Sequence, residues 1–273
     1  MTMTIDSETC TRCGTCSEIC PMSVIDAATD DTLPRVHEGK SAACISCGQC
    51  EAFCPTGALV QGPGTARGVT GGKASTPGDL SPGHLGTYLK SRRSIRQYRR
   101  DPVKRETIEA LLDIARYAAS GGNGQPVEWL VIHDSAAVKK VADLTVEWMH
   151  ELAKSNHPMS GYAPHLIAAY ESGIDVICRG APHLLIPHIP KGNPIAPIDA
   201  IIALTHVDIA APAFGVGTCW AGFVAAASQN YAPLLDFYSL PEGRIPAYAM
   251  MFGYPKFTPH YLPDRKPVRV TWR

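Results

Sequence analysis

Charge of one sign is missing from this chain. Lys+Arg and Asp+Glu each number 25 in 273 residues, so no global field draws it to nucleic acid or to a membrane surface. An apolar signal-peptide core is missing as well, since the chain starts MTMTIDSETC. The long apolar stretch 198–227 is not free of charge: it carries Asp199, His206 and Asp208. Those groups would be expensive in lipid, so the stretch reads as a buried helix. These absences predict a cytoplasmic protein with neither a nucleic-acid nor a membrane partner. Without an export signal disulfides are not expected, and ten cysteines need another explanation. What is present suits a folded core: 45% hydrophobic and 18% charged residues, and a length for one large domain or two smaller ones.

Eight of the ten cysteines fall in two copies of one phrase. CTRCGTCSEICP spans 10–21 and CISCGQCEAFCP spans 44–55, each reading C-x2-C-x2-C-x3-C-P. Cysteines three apart on a tight turn converge on one face of a cube-shaped cluster. Gly14 and Gly48 sit where a side chain would crowd it, and Pro21 and Pro55 fix the backbone after the fourth cysteine. A zinc site would use paired C-x2-C elements instead. The phrase is the bacterial ferredoxin signature, and residues 1–60 resemble a two-cluster bacterial ferredoxin throughout. In that family the fourth cysteine ligates the other cluster. The resemblance therefore implies one [4Fe–4S] cluster on Cys10, Cys13, Cys16 and Cys54, and a second on Cys44, Cys47, Cys50 and Cys20. The remaining pair, Cys178 and Cys219, reads as small core residues.

Residues 61–86 are rich in Gly, Pro, Ser and Thr and read as a connector. GPGTARG within it is not a dinucleotide loop, because no helical pattern follows. From residue 87 a mixed pattern begins. Asp101 and Pro102 are expected to cap and open a helix bearing Ile108, Leu111, Leu112 and Ala115, closed by Gly121 and Gly122. EWLVIH, 128–133, reads as a strand and SAAVKKVADLTVEWMHELAK as a second helix. APHLLIPHI and PAYAMMFGYP read as strands. The segment from Pro197 to Gly217 reads as a helix apolar nearly all round, central or at an interface, with Pro212 ending or kinking it. The expected fold class is α+β, with a ferredoxin-like domain at 1–60, a linker at 61–86 and a mixed domain at 87–273.

RRSIRQYRR, 92–100, holds five arginines in nine residues. In an extended chain Arg92, Ser94 and Arg96 project together, while Arg93 and Ile95 face the other way. Two guanidiniums around a hydroxyl make a phosphate clamp; a solvated basic face or a weak nucleic-acid patch would use the same residues. ASGGNGQP, 119–126, could bring amides close to a flat heterocycle, or simply end a helix. GVGTCWAG, 215–222, lets a backbone approach something closely, or forms a tight joint. LPDRKPVRV supplies Arg265 and Lys266.

Taken in this order, the four phrases resemble the FMN-dependent nitroreductase family over roughly 87–273. By that resemblance Arg92, Ser94 and Arg96 would hold the flavin phosphate together with Lys266 and Arg265, and Arg93 of the same phrase would be a cofactor-binding residue. Ser120, Asn123 and Gln125 would line the flavin. Cys219, Trp220, Ala221 and Gly222 would lie beside the ring, the N–H groups of Ala221 and Gly222 facing N5. Ala119 and Val127 depart from the family's usual proline and tryptophan, and no residue is matched to the flavin's pyrimidine edge. His183, His188 and His206 read as structural, leaving solvent as the proton source.

The two halves together imply an oxidoreductase. A low-potential external donor such as ferredoxin or flavodoxin, or NAD(P)H, would reduce the clusters. They would reduce FMN, and FMN an organic acceptor, foremost a nitroaromatic compound. Ene reduction, reductive dehalogenation and a redox-sensing role are the rival expectations. The resemblance also implies a homodimer, with FMN between subunits.

Overall fold

The computed structural model describes residues 3–62, 79–156 and 160–273, so most of the expected connector lies outside the described residues. The chain divides into two compact units. One is Met1–Asp79 with Gly122–Gly124, the other Leu80–Gly121 with Gln125–Arg273.

The first unit is built twice on one plan. It runs β1 (Met3–Ile5), α1 (Thr15–Glu18), β2 (Ile25–Asp26), β3 (Arg35–Val36), α2 (Gln49–Ala52) and β4 (Leu59–Gln61). Strand β1 pairs antiparallel with β4, and β2 with β3. The 34-residue offset of the cysteine phrases reappears in the backbone. Arg12 and Ser46, Gly14 and Gly48, and Ser23 and Gly57 take positive φ in both copies. Gly14 and Gly48, at φ 78° and 70°, start the two short helices from a conformation that suits glycine. The apolar core is small, centred on Val24, Ile25, Cys50 and Leu59. A core of that size needs a staple such as metal clusters to stand alone.

The second unit contains α3 (Pro82–Ser91), α4 (Arg105–Ala115), β5 (Glu128–Ile132), α5 (Ser135–Leu152), α6 (Ala163–Glu171), β6 (His183–Pro190), α7 (Ala196–Ala210), β7 (Gly217–Trp220), α8 (Gly222–Asn230), α9 (Ala232–Tyr238), β8 (Arg244–Pro246) and β9 (Met250–Gly253). Its sheet runs β5-β6-β9-β7, with β8 also on β6, and its pairs are antiparallel. Helices cover both faces. Leu184, Ile186 and Met251 pack with α5, α6 and α8, while Leu185, Met250 and Phe252 pack with α4 and α7. This alternation follows the two-residue period of a strand. Cys178 and Cys219 are buried core residues, as expected.

Three boundaries differ from the sequence reading. Helix α3 starts at Pro82, inside the expected connector, with Ser81 Oγ accepting from His84 N at 3.2 Å. Helix α4 starts at Arg105, not Pro102, because Asp101 is paired with Arg99 and Val103 N donates to His183 Nε2 at 2.9 Å. It ends at Ala115, and Gly121 opens a separate short turn. Pro212 lies in a 3-10 turn, Ala211–Phe214, that ends α7 as expected. The run Ala196–Phe214 is long and apolar enough to cross a membrane by length and composition. Its two carboxylates, Asp199 and Asp208, are buried and hydrogen-bonded within the fold.

Candidate functional site

In the first unit, Cys10, Cys13 and Cys16 line one recess with Cys54 from the second phrase, beside Gly14, Thr15, Pro55 and Thr56. This is the crossed set that the ferredoxin resemblance implies. Thr15 Oγ1 lies 3.3 Å from Cys13 Sγ and Thr56 Oγ1 3.7 Å from Cys54 Sγ. Gln61 Nε2 donates to Cys44 Sγ at 3.4 Å, its orientation fixed because Oε1 accepts from Gly48 N at 3.1 Å. Such hydrogen bonds to sulfur tune an iron–sulfur centre. Among the described residues no three His, Cys, Asp or Glu converge on a single ion. A cube instead spreads its thiolates to its corners, and a donor set of thiolates alone suits iron–sulfur.

In the second unit the organising group is Asp208, near the end of α7. It is 5% exposed and accepts from Thr218 Oγ1, from Trp220 Nε1 at 3.0 Å, and faces Arg92 Nη1 at 3.7 Å. Thr218 and Trp220 reach it because residues i and i+2 of β7 point the same way. One buried carboxylate thus ties the GTCW phrase to the RRS phrase. The sequence reading used Asp208 only as a charge unfit for lipid. The signal available was its place in an apolar helix, where a charge needs partners.

Beside this anchor, Ile95 N donates to Thr218 O at 2.8 Å and the Ile95 side chain presses on Gly217. A Cβ on Gly217 would come within 2.5 Å of Ile95 Cγ1. The expected alternation along 92–96 holds only in part. Arg92 caps α3 and has just left the helix, so it lines one recess with Arg93 and Ile95. That recess measures about 330 Å³. Arg92 Nη1 and Arg93 Nε are buried there without a hydrogen-bond partner. Orphaned guanidinium nitrogens of this kind are suited to an anion. Ser94 is half-buried in the irregular segment between.

Arg96 lines a different cavity of about 410 Å³, with Arg179, Val176, Trp220, Gly222 and Phe223 around it. Cys219 and Ala221 also line it. Ala221 N is already donated to Ala249 O at 2.9 Å, so the expectation that it faces a flavin fails; it is a sheet-edge donor. Gly222 opens α8, and a Cβ there would meet only Tyr248 Oη at 3.7 Å. Packing within the chain therefore does not require glycine at 222.

The 119–126 loop is held from below by Asp199, whose Oδ1 accepts from Gly121 N at 3.0 Å. Ser120 Oγ accepts from Gln125 N at 3.0 Å, and both residues line a third recess with Trp129. Asn123 groups with the first unit, its Nδ2 donating to Ser46 O at 2.9 Å. Arg265 and Lys266 stand exposed on the irregular C-terminal segment and line none of these three recesses. The expected site residues are thus spread over several surfaces of one chain.

The histidines are structural here. His183 stacks on His133 with ring centroids 4.2 Å apart. Its Nε2 accepts from Val103 N, so Nδ1 carries the proton and donates to His133 O at 2.8 Å. Burial pushes its pKa down to about 4. Burial, with Arg244 beside it, also lowers His188. His206 Nδ1 lies 2.9 Å from Ile202 O within its own helix.

Residues 89–254 match the model of the Nitroreductase family, more than half of the chain, and residues 9–59 match that of a 4Fe-4S dicluster domain. FMN reductase [NAD(P)H] of Bacillus subtilis is 28% identical over 171 residues, 61% of this chain and 64% of that protein. The chain thus spans under two thirds of that relative. A nitroreductase with bound FMN from Bacteroides fragilis has a TM-score of 0.54 at 21% identity, over 68% of this chain and 94% of that one. One from Desulfitobacterium hafniense, also with FMN, has a TM-score of 0.55 at 18% identity, over 68% and 97%. These likenesses bear out the α+β flavin-domain fold. The chain therefore belongs to the nitroreductase family, a family of FMN-dependent oxidoreductases, and carries a 4Fe-4S dicluster domain ahead of the family's own fold.

Proposed function

We propose that this protein passes electrons from a low-potential donor through two [4Fe–4S] clusters to FMN, and on to an organic acceptor, foremost a nitroaromatic compound. The observation that carries the flavin half is Gly222, a glycine not required by the chain's own packing, under a cavity that also holds Arg96. The bare N–H groups at the start of α8 and the adjacent cation suit an electron-rich ring edge. The buried Arg93 Nε, with no hydrogen-bond partner, suits the phosphate, beside Arg92 Nη1, which has no hydrogen-bond partner but faces Asp208 at 3.7 Å. When bound, flavin accepts electrons singly and delivers them as a pair. The chain's part is to seat the ring through Gly222 and Arg96 and to hold β7 rigid through Asp208.

The cluster half rests on Cys10, Cys13, Cys16 and Cys54 sharing one recess, with Cys20, Cys44, Cys47 and Cys50 as the complementary set. A homodimer reconciles the scattered flavin residues. Ser120, Gln125, Arg265 and Lys266 of one protomer would complete the cavity of its partner. The Bacillus subtilis relative carries NAD(P)H in its name; the dicluster domain gives this chain a second entry for electrons, such as ferredoxin or flavodoxin.

Oxygen-free isolation with iron, sulfide and flavin analysis tests the reading. It is followed by reduction with ferredoxin or NADPH and turnover against nitro, enone and halogenated aromatic acceptors. The expected result is about eight irons and about one FMN per chain, with the nitro compounds turned over fastest. Iron without FMN, even with FMN in excess, would overturn it.

A further inference from the structure

The two halves of the first unit repeat at an offset of 34 residues, so each residue around one cysteine set has a counterpart around the other. Gln61, at the end of β4, has Ala27 as its counterpart, and Glu51, in α2, has Ser17. Three hydrogen bonds hold Gln61 in place. Its backbone N donates to Glu51 Oε2 at 3.2 Å, its Oε1 accepts from Gly48 N at 3.1 Å, and its Nε2 donates to Cys44 Sγ at 3.4 Å. A flipped amide would set its oxygen against the sulfur and its N–H against the Gly48 N–H, so only one orientation satisfies both. Ser46 N donates to the same sulfur at 3.4 Å. In the first half Ala27 has no side-chain donor to offer, and Ser17 Oγ donates back to Gly14 O at 2.8 Å.

Nearby charge, hydrogen bonds to the sulfurs and exposure together set how readily an iron–sulfur centre accepts an electron. Two of these count against the second set. Cys50 is buried where its counterpart Cys16 is half-buried. Glu51 places a carboxylate where Ser17 is neutral. The first set also has the hydroxyls of Thr15 and Thr56 beside two of its sulfurs. On these features alone the second set would hold the centre that is harder to reduce. Gln61 works in the opposite direction, because an N–H donated to sulfur strengthens as the sulfur gains negative charge.

We propose that Gln61 offsets the burial of Cys50 and the charge of Glu51 by stabilising the reduced state of the cluster on Cys20, Cys44, Cys47 and Cys50. It thereby keeps that cluster within reach of electrons that enter at the other. This rests on the reading of the two cysteine sets as the ligands of two [4Fe–4S] clusters. One electron from the external donor adds one negative charge to the cluster and its thiolates, and no proton is taken up. The bond from Gln61 Nε2 to Cys44 Sγ is stronger in that state than in the oxidised one. Gln61 thus raises the potential without touching iron, as a positioning residue that acts through Cys44.

The test is an EPR-monitored redox titration of the oxygen-free holoprotein, with iron content measured alongside. Cys54→Ser, which strikes the first set, identifies the signal of the second cluster. Gln61→Ala is expected to retain about eight irons and to cost the second cluster about tenfold of its preference for the reduced state. For one electron that is a potential about 59 mV lower, and the first cluster should move far less. Gln61→Glu keeps an acceptor for Gly48 N but replaces the N–H at Cys44 with an oxygen, so it should lower the potential at least as far. Glu51→Gln keeps an acceptor for Gln61 N and removes the charge, so it should raise the potential. Unchanged potentials in both Gln61 variants, with iron retained, would overturn the proposal, as would a Glu51→Gln potential at or below wild type. An equal fall of both clusters in Gln61→Ala would overturn it too, by assigning the effect to the unit as a whole. Loss of iron from both Gln61 variants would overturn it in favour of a structural role at Gly48. Wild-type protein holding well under about eight irons fails earlier, at the reading of two clusters, and is recognised before any variant is made.

Discussion

Replacing Asp208 with alanine removes the acceptor of one buried and one half-buried donor and the counterion of a third group. Thr218 Oγ1 and Trp220 Nε1 lose their partner, and Arg92 Nη1 loses the carboxylate 3.7 Å away. An unsatisfied buried donor costs about 1–3 kcal/mol, and an uncompensated buried charge up to about 3–5 kcal/mol. Trp220 is half-buried and Arg92 keeps access to water, so each contributes about 1 kcal/mol, against about 2 kcal/mol for Thr218. The sum is about 4 kcal/mol. For a unit of this size each kcal/mol shifts melting by about 2–4 °C, which predicts a fall of about 8–16 °C. Asp208→Asn retains an acceptor and removes only the charge, so its fall is expected to be about half as large. Asp199→Ala is the control. That carboxylate accepts from Gly121 N, and its loss should cost only about 1–2 kcal/mol. Thermal melting followed by tryptophan fluorescence reads all three, with Trp220 itself at the perturbed site. FMN retention should fall in parallel for the Asp208 variants, because both RRS and GTCW lose their common anchor. Asp208→Ala melting within about 2 °C of wild type would refute the reasoning, since it would mean that neither donor depends on this carboxylate.

Acid should destabilise the second unit through His183. Its folded pKa is pushed down to about 4 by burial, against 6.5 in an open chain. The unfolded chain therefore takes up a proton that the folded one refuses, so stability is intact above pH 6.5 and is lost as pH falls towards 4. The full loss is about 3 kcal/mol, measurable as the pH dependence of urea midpoints, and it should vanish in His183→Gln. Gly222→Ala should fold normally, as its Cβ would have 3.7 Å of room, yet lose FMN affinity at least about tenfold by equilibrium titration. Cys54→Ser should disturb the cluster of the first phrase, not the second, because Cys54 lines the recess of Cys10, Cys13 and Cys16. Low-temperature EPR of the dithionite-reduced protein would separate the two signals.

Local patterns in the sequence reached surprisingly different distances into the structure. The cysteine phrases carry their own geometry, because ligand spacing and the left-handed Gly14 and Gly48 are local properties. The strands β5, β6 and β9 were legible from apolar runs bounded by turn residues. The start of α4 was not. Asp101 and Pro102 look like a cap, but Arg99 claims the carboxylate, and His183, 80 residues away, claims the Val103 N–H. The clamp at 92–96 failed in part for a similar reason: Arg92 caps α3 and the segment after it is irregular, so Arg92 and Arg96 do not share a strand face and line different recesses. Asp208 showed only as a charge in an apolar helix, because its partners, Thr218 and Trp220, come from β7 and meet it only when β7 lies alongside α7.

The central claim is that electrons reach the flavin through the iron–sulfur centres. Stopped-flow reduction of the oxygen-free holoprotein by reduced ferredoxin, with cluster and flavin absorbance followed separately, tests it most directly. The account predicts that cluster bleaching precedes flavin bleaching, and that Cys54→Ser slows the second phase at least about tenfold while FMN stays bound. Flavin reduction at an undiminished rate in a variant that has lost its clusters would contradict it.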